Sequence, residues 1–541
     1  MSKSSFPIEC FNGIFKHIEN DKSTLHSCLL VDRLWCRMII PILWSRTFSL
    51  IQNSKNSSLF LTGTYLSFLN DEERQLYNHY PELYPTKFEE HLFNYPSFLK
   101  EFYYDLMYSI VKFWVKTNTN LDISTKYNCQ IILTISCNIS QSLFKMFLRN
   151  NVQINLMNIK SFEFYPDLPF LSNLHNSFSN LKSFQFNADL QPLNTFSNTY
   201  SFLKSLPRSC NDISHLLLNV HFKKKDDKEE LLINIINAQN NIKKFIINPH
   251  GIIPRSILNS IIHQTSLVLV HFKETKFINS FPFELLLNCD NLKFLLTENC
   301  HEYYNRENSQ IDTEVKPCSI SLKDIKCKVD TLYINNNNFL PLTISRLIQL
   351  SGTNLTTLWL DRTKFSSYII TSEPLSIHCP NISHLILTLD TISLYQTKNS
   401  LSILISNLNL EYFGIRNFGW TNELIADLGN YLPSSLKYLE ISSFFDFEAL
   451  YMLLKRCKCQ LRGLSMIFFN ENYLSFIIDY AKCNKDFRLL GIDIFLSEEN
   501  KGKIKALKAL KEETNIKIVD PDELKLKSSP SYYDYIRQKP T

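Results

Sequence analysis

Leu355-Thr356-Thr357-Leu358-Trp359-Leu360 is followed 27 residues later by Ile382-Ser383-His384-Leu385-Ile386-Leu387. Both read apolar, two variable residues, apolar, one variable residue, apolar. The phrase starts at Ile159, Leu181, Ile213, Ile242, Leu267, Leu292, Val329, Leu355, Ile382, Leu410, Leu436, Leu461, Phe487 and, truncated, Ile516. From Val329 to Phe487 the starts are 26, 27, 28, 26, 25 and 26 residues apart, a period that unrelated α/β units would not keep. Asparagine often precedes the phrase, as at Asn180, Asn241, Asn291, Asn354, Asn381 and Asn409. Between phrases, amphipathic runs of helical length occupy Leu231–Ala238, Ser256–His263, Thr343–Leu350, Asn422–Tyr431, Phe447–Cys457 and Tyr473–Cys483. A strand followed by a helix at this interval cannot bury its faces alone, so neighbouring copies must stack.

This pattern resembles the leucine-rich repeat. The resemblance implies an α/β solenoid of horseshoe form, with short parallel strands lining the inner wall and helices covering the outside. The steps of 22, 32 and 29 residues at the start are irregular, and the 37-residue step from Leu292 to Val329 contains a polar insertion, His301 to Pro317.

Side chains alternate along a strand, so the residue between the last two apolar positions of each phrase should face the inner wall. These residues are Glu163, Gln185, Leu217, Ile246, His271, Leu296, Tyr333, Trp359, Ile386, Gly414, Glu440, Ser465 and Gly491. Tyr333, Trp359 and Ile386 belong to adjacent copies, and Asn335, Asp361 and Arg416 should flank them. An exposed apolar patch rimmed by polar groups is the expected site for an unidentified target protein. The alternative is that the C-terminal tail or a loop covers it.

The first 44 residues carry a different signal. Phe6-Pro7-Ile8-Glu9-Cys10-Phe11, Ile14-Phe15, Leu25, Cys28, Val31, Trp35 and Pro41-Ile42-Leu43-Trp44 fall in three short helical runs, with Asp21 or Ser23 placed to cap the second. Three such helices bury little surface of their own and need a second surface. The ordered set resembles the F-box, whose pattern runs Leu-Pro-x-Glu-(Ile/Leu)-Leu, Ile-Phe, a Leu-Cys-Val middle section, Arg-x-x-Trp and Pro-x-Leu-Trp. Phe6 and Phe11 each stand where that family has a leucine. The resemblance implies docking on the Skp-type adaptor of an SCF cullin–RING ubiquitin ligase through Phe6, Pro7, Ile8, Leu25, Trp35 and Trp44. Between this unit and the repeats, Ser58–Leu69 and an aromatic stretch, Ser97–Lys116, read as helices of a linker.

Composition narrows the function classes. A hydrophobic fraction of 44% and a charged fraction of 20% describe a core-forming chain, and ten glycines in 541 residues supply no phosphate-binding loop. A net charge of +5, from 57 basic and 52 acidic residues, singles out neither nucleic acid nor anionic membrane. The start, Met1 to Ser5, has no apolar run of signal-peptide type, and the charges within Phe98–Val115 argue against a membrane span. A cytoplasmic or nuclear protein with reduced thiols is expected. No metal motif occurs, since Cys457 and Cys459 have the wrong spacing for a zinc Cys-x-x-Cys; no cofactor and no catalytic set are expected. The lysines from Lys501 to Lys511 are bracketed by glutamates and read as a solvated capping helix. The expected order is an F-box at 1–48, a helical linker at 49–130, the solenoid at 131–526 and a tail at 527–541. The expected function is substrate recognition for a ubiquitin ligase without chemistry of its own, or, alternatively, a leucine-rich-repeat scaffold with no ligase association.

Overall fold

The computed structural model describes residues 7–51, 55–74, 91–119, 125–160, 174–188, 197–222, 227–278, 281–282, 289–303, 327–361, 375–388, 394–416, 421–442, 445–466, 473–492 and 514–521. Phe6, Glu163, the lysine-rich stretch, the tail and all of the insertion beyond Tyr303 therefore lie outside the described residues. The chain divides into two compact units. One runs to Ile247 and includes Pro254–Ser260; the other takes Asn248–Ile253 and continues from Ile261.

The first unit opens with helices α1 (Ile8–His17), α2 (Lys22–Cys28), α3 (Arg33–Trp44), α4 (Thr47–Leu50), α5 (Lys55–Leu66) and α6 (Asp71–Arg74). Strand β1 (Glu101–Tyr103) and the long helices α7 (Tyr104–Asn118) and α8 (Lys126–Arg149) come next, then β2 (Leu156–Lys160), β3 (Ser183–Ala188), β4 (His215–Val220) and β5 (Lys244–Asn248), paired in that order. By length and composition alone α8 could cross a membrane, but 61% of its most apolar window is buried, as in a core helix.

Two features of this unit differ from the sequence expectation. The stretch read as a helix from Ser97 begins instead with a 3-10 turn at Tyr95–Phe98 and a strand, because Leu99-Lys100-Glu101-Phe102-Tyr103-Tyr104 is itself a copy of the repeat phrase. Leu99, Phe102 and Tyr104 are fully buried, and Phe102 pairs in parallel with Met157. The second copy starts at Ile154, not Ile159, so Asn158 holds the inner-wall position assigned to Glu163. Asn158 Nδ2 donates to Gln185 Oε1 of the next strand at 2.9 Å.

The second unit is a mixed α/β repeat with a long run of parallel strands: β7 (Leu269–Lys273), β9 (Phe294–Glu298), β11 (Thr331–Asn335), β12 (Thr357–Asp361), β13 (His384–Thr388), β14 (Tyr412–Arg416), β15 (Tyr438–Ser442), β16 (Gly463–Met466), β17 (Leu489–Ile492) and β18 (Lys517–Val519). A smaller parallel sheet joins β6 (Gly251–Ile252), β8 (Thr275–Ile278) and β10 (His301–Tyr303) in the order β10-β8-β6. This is the organisation of a leucine-rich-repeat-like solenoid. Helices stand where the amphipathic runs are, among them Pro341–Ser351, Asn422–Leu428, Phe447–Arg456 and Leu474–Cys483. The apolar positions of each phrase form the core: Leu355, Leu358 and Leu360 are fully buried, as are Ile382, Leu385 and Leu387.

One backbone contact recurs throughout. Within each unit, in copy after copy, the carbonyl of the second phrase residue accepts N–H donors from the second and third residues of the next, and at the last step Arg488 O accepts from Lys517. Asp330 O accepts from Thr356 and Thr357, Thr356 O from Ser383 and His384, Ser383 O from Glu411 and Tyr412, and Glu411 O from Lys437 and Tyr438, all between 2.8 and 3.0 Å. In the first unit Lys100 O accepts from Asn155 and Leu156, and Lys100 and Glu101 themselves donate to Ser45 O at 2.8 Å. The end of α3 thus supplies the first rung.

Past the strands the chain turns through left-handed residues, Glu274, Asn299 and Asn336, with φ of 46°, 53° and 51°. Their N–H groups donate to Glu298 O, Asn335 O and Asp361 O, carrying the ladder round the corner. Asparagine tolerates this conformation better than most residues, because its short amide bonds locally.

Packing between outer helices gives a direct check. A Cβ on Gly429 would lie 2.4 Å from Leu453 O and 3.0 Å from Arg456 Cβ, whereas one on Gly13 would meet nothing within 4 Å. Gly429→Ala is expected to cost about 1–3 kcal/mol, and Gly13→Ala in α1 to add about 0.5–1 kcal/mol. Thermal melting of the two variants should therefore move in opposite directions.

Candidate interaction sites

The three N-terminal helices are built by local chemistry. Asp21 caps α2, its Oδ1 accepting from Thr24 N at 3.0 Å and its Oδ2 from Thr24 Oγ1 at 2.6 Å. The Thr24 hydroxyl, followed by its N–H, holds the Asp21 carboxyl below its usual range. Asp32 caps α3 by accepting from Trp35 N at 2.8 Å. Phe15, Leu25 and Ile39 form a small closed core, with Phe11, Ile18, Cys28 and Trp35 packed against it.

The sequence-derived docking residues fall into three groups. Leu25 is fully buried and Trp35 sits edge-on to Phe11 and Phe15, at 5.6 and 5.1 Å between centroids, so both hold the helices together. Trp44 stacks on Tyr95 at 4.1 Å and meets Tyr65 edge-on at 5.5 Å, fastening α3 to the later helices of the unit. Among the described members of the set, only Pro7 and Ile8 are exposed. The sequence reading did not single out the docking potential of Ile14, Leu30 and Leu34, which with Val31 are exposed; Leu30 is 81% exposed and Ile8 53%. Helical periodicity alone assigns apolar side chains to a core, and Leu30 and Val31 instead lie in the turn after α2.

The inner-wall row of the second unit is assembled as the register requires. Tyr333 pairs with Trp359, Trp359 with Ile386, Ile386 with Gly414 and Gly414 with Glu440. The rings of Tyr333 and Trp359 meet edge-on, with centroids 4.9 Å apart and planes at 64°. The patch is not open, however: Trp359 is 8% exposed and Ile386 5%. The expected flanking residues are also more than a rim. Arg416 Nε donates to Glu440 Oε1 at 2.9 Å, Arg416 Nη1 to Asp361 Oδ2 at 2.5 Å, and the guanidinium lies over the Trp359 ring at 4.8 Å.

Glu440 is fully buried and also accepts from Tyr412 Oη and Ser442 Oγ; Asp361 accepts from Thr388 Oγ1, and Asn335 Nδ2 donates to Tyr333 Oη at 2.9 Å. Burial opposes the Arg416 charge, but Glu440 and Asp361 outweigh it and raise its pKa above the ordinary arginine value. Burial first, then the charges of Glu298 and Asp361, pushes the Tyr333 phenol up to about 12. Gly414 makes the arrangement possible, since a Cβ there would lie 2.9 Å from Ile386 Cγ1. Glu440 and Tyr412 therefore belong with Arg416 in one buried network. The signal available in the sequence was an acid on the wall row beside a strand that ends in arginine.

Further along the row, His271 Nε2 and Lys273 Nζ lie 3.5 and 3.3 Å from Glu298 Oε2. His271, with help from Lys273 and against burial, holds the Glu298 carboxyl at about 2. Among the described residues no group of three or more His, Cys, Asp or Glu side chains is arranged to hold a metal ion.

Two measurements test these charged contacts. Arg416→Met leaves two buried carboxylates without their cation and is expected to cost about 3–5 kcal/mol in a denaturant titration, with Arg416→Lys recovering only part because it cannot bridge both acids as a planar fork. Glu298 has a folded pKa of about 2 against a reference of 4.5, so its contribution is present above the reference value and is lost as pH falls between the two. The Glu298→Gln variant should show a flatter loss of stability across that acid window than the parent.

No family model and no curated protein matches the chain. Among solved structures it is similar to the Rad7 and Elc1 complex of yeast, at 11% identity and a TM-score of 0.33, over 78% of this chain and 93% of that one. It is also similar to the leucine-rich-repeat-containing protein LegL7 from Legionella pneumophila, at 12% identity and a TM-score of 0.24, over 69% of this chain and 98% of that one.

Proposed function

We propose that this protein is the substrate-recognition subunit of an SCF-type cullin–RING ubiquitin ligase. In this reading α1 to α3 dock a Skp-type adaptor, the repeats hold a target protein, and the chain performs no chemistry of its own, contributing proximity and orientation. It works in the cytoplasm or nucleus and requires no cofactor. The observation that carries the reading is the contrast within the N-terminal helices. Their motif residues already enclose a core of Phe15, Leu25 and Ile39, yet Ile8, Ile14, Leu30, Val31 and Leu34 remain exposed. Large apolar side chains gathered at the surface of so small a unit suit a protein interface, where a few buried anchors carry most of the affinity. The target-binding surface on the repeats is left open in this proposal, because Trp359 and Ile386 are already covered.

The exposed positions also make the better test, since removing Trp35 would damage the core. The intact protein is expected to co-purify with a Skp-type adaptor. Ile8→Asp and Leu30→Asp should each weaken that binding by about tenfold or more, roughly 1.4 kcal/mol, with unchanged melting temperature. Absence of binding by the parent, or full binding by both variants, would remove the adaptor assignment and leave the scaffold reading.

A further inference from the structure

The turn after helix Phe447–Arg456 reads Arg456-Cys457-Lys458-Cys459-Gln460 and leads into β16. Cys457 ends the helix, with its N–H donating to Leu453 O at 3.0 Å, and then turns extended. This bend brings the two sulfurs together: Cys457 Sγ lies 2.6 Å from Cys459 Sγ. The next segment is tied down as well, since Asn484 Nδ2 donates to Leu461 O at 3.0 Å and Leu461 N to Tyr480 Oη at 3.4 Å.

We propose that Cys457 and Cys459 form a redox-labile dithiol that takes a small-molecule disulfide of the glutathione class as its oxidant and closes into a ring disulfide. The turn between this helix and β16 then has two covalent states.

The two thiols are unequal in the way the reaction needs. Cys457 is partly exposed, whereas Cys459 is 5% exposed. The contact between the two sulfurs lowers the Cys457 pKa against the effect of burial and, with burial, raises that of Cys459. Cys457, as thiolate, attacks one sulfur of the small disulfide; the other sulfur leaves as a thiolate and takes up a proton. Cys459 then gives up its proton and attacks the Cys457 sulfur, and the second small thiol departs. In sum, two protein thiols and one disulfide become one ring disulfide and two small thiols. Cys210, Cys289, Cys300 and Cys379, by contrast, are pushed up to about 12, each chiefly by burial, and are poor nucleophiles.

The experiment uses the full-length protein, incubated with glutathione disulfide, alkylated and digested with trypsin. Cleavage after Arg456, Lys458 and Arg462 separates the two cysteines when they are thiols. The expected result is that they remain joined in one species, two hydrogens short and without alkylation, and that dithiothreitol reverses this. Cys459→Ala, with no resolving thiol, should retain a glutathione adduct on Cys457. Alkylation of both thiols, or a lasting adduct on Cys457 in the parent protein, at oxidant levels that load the exposed Cys10 and Cys483, would overturn the proposal. The parent measurement decides the matter even if the variant fails to fold.

Discussion

One backbone oxygen per copy, accepting two N–H groups from the next copy along, fixes the arrangement of each unit. The geometry admits a single register, and a slip of one residue would turn every buried leucine toward the inner wall. Period, alternation and core position are therefore consequences of one recurring contact. Because Ser45 O provides that contact for Lys100 and Glu101, the N-terminal helices are not merely tethered to the first strands. They form the layer on which the first strand is laid, and Trp44 with Tyr65 and Tyr95 seals the joint.

Burial divides the two candidate surfaces. On the inner wall, a tryptophan, an isoleucine and a three-charge network are withdrawn from water together. Such a network tolerates no missing member, because an unpaired charge in that setting costs more than the pair contributes. It specifies the wall more than it advertises a binding site. On the N-terminal helices the balance is reversed: polar caps are satisfied locally, while isoleucine, leucine and valine side chains remain in water.

The repeat was legible because burial on one face leaves a strict trace in residue type. From Leu181 to Ile516 the phrase marks the strands, and at Leu99 and Ile154 it was present but missed. Phe102, Tyr103 and Tyr104 resemble an aromatic helix when read at helical spacing, and Ile159 can serve as either the first or the last apolar residue of a phrase. The candidate surfaces were less legible. Periodicity says which face of a strand a side chain takes, not how much of that face is covered, so the row containing Trp359 and Ile386 was correct while its exposure was not. Glu440 and Tyr412 joined the Arg416 site only through lateral neighbours, which a linear pattern cannot supply. The short sheet of β6, β8 and β10 left no periodic trace at all.

The left-handed corners at Glu274, Asn299 and Asn336 also separate two tasks along the chain. Before a corner the chain is metered by the wall ladder, and beyond those at Glu274 and Asn299 it passes into the second, shorter sheet as β8 and β10. Leu295 still faces Leu332 although the step between their copies is 37 residues, longer than any in the regular region that follows. Closing a longer loop costs only logarithmically more. The register of β9 with β11 shows that a step of 37 residues between copies leaves the spacing of the wall untouched.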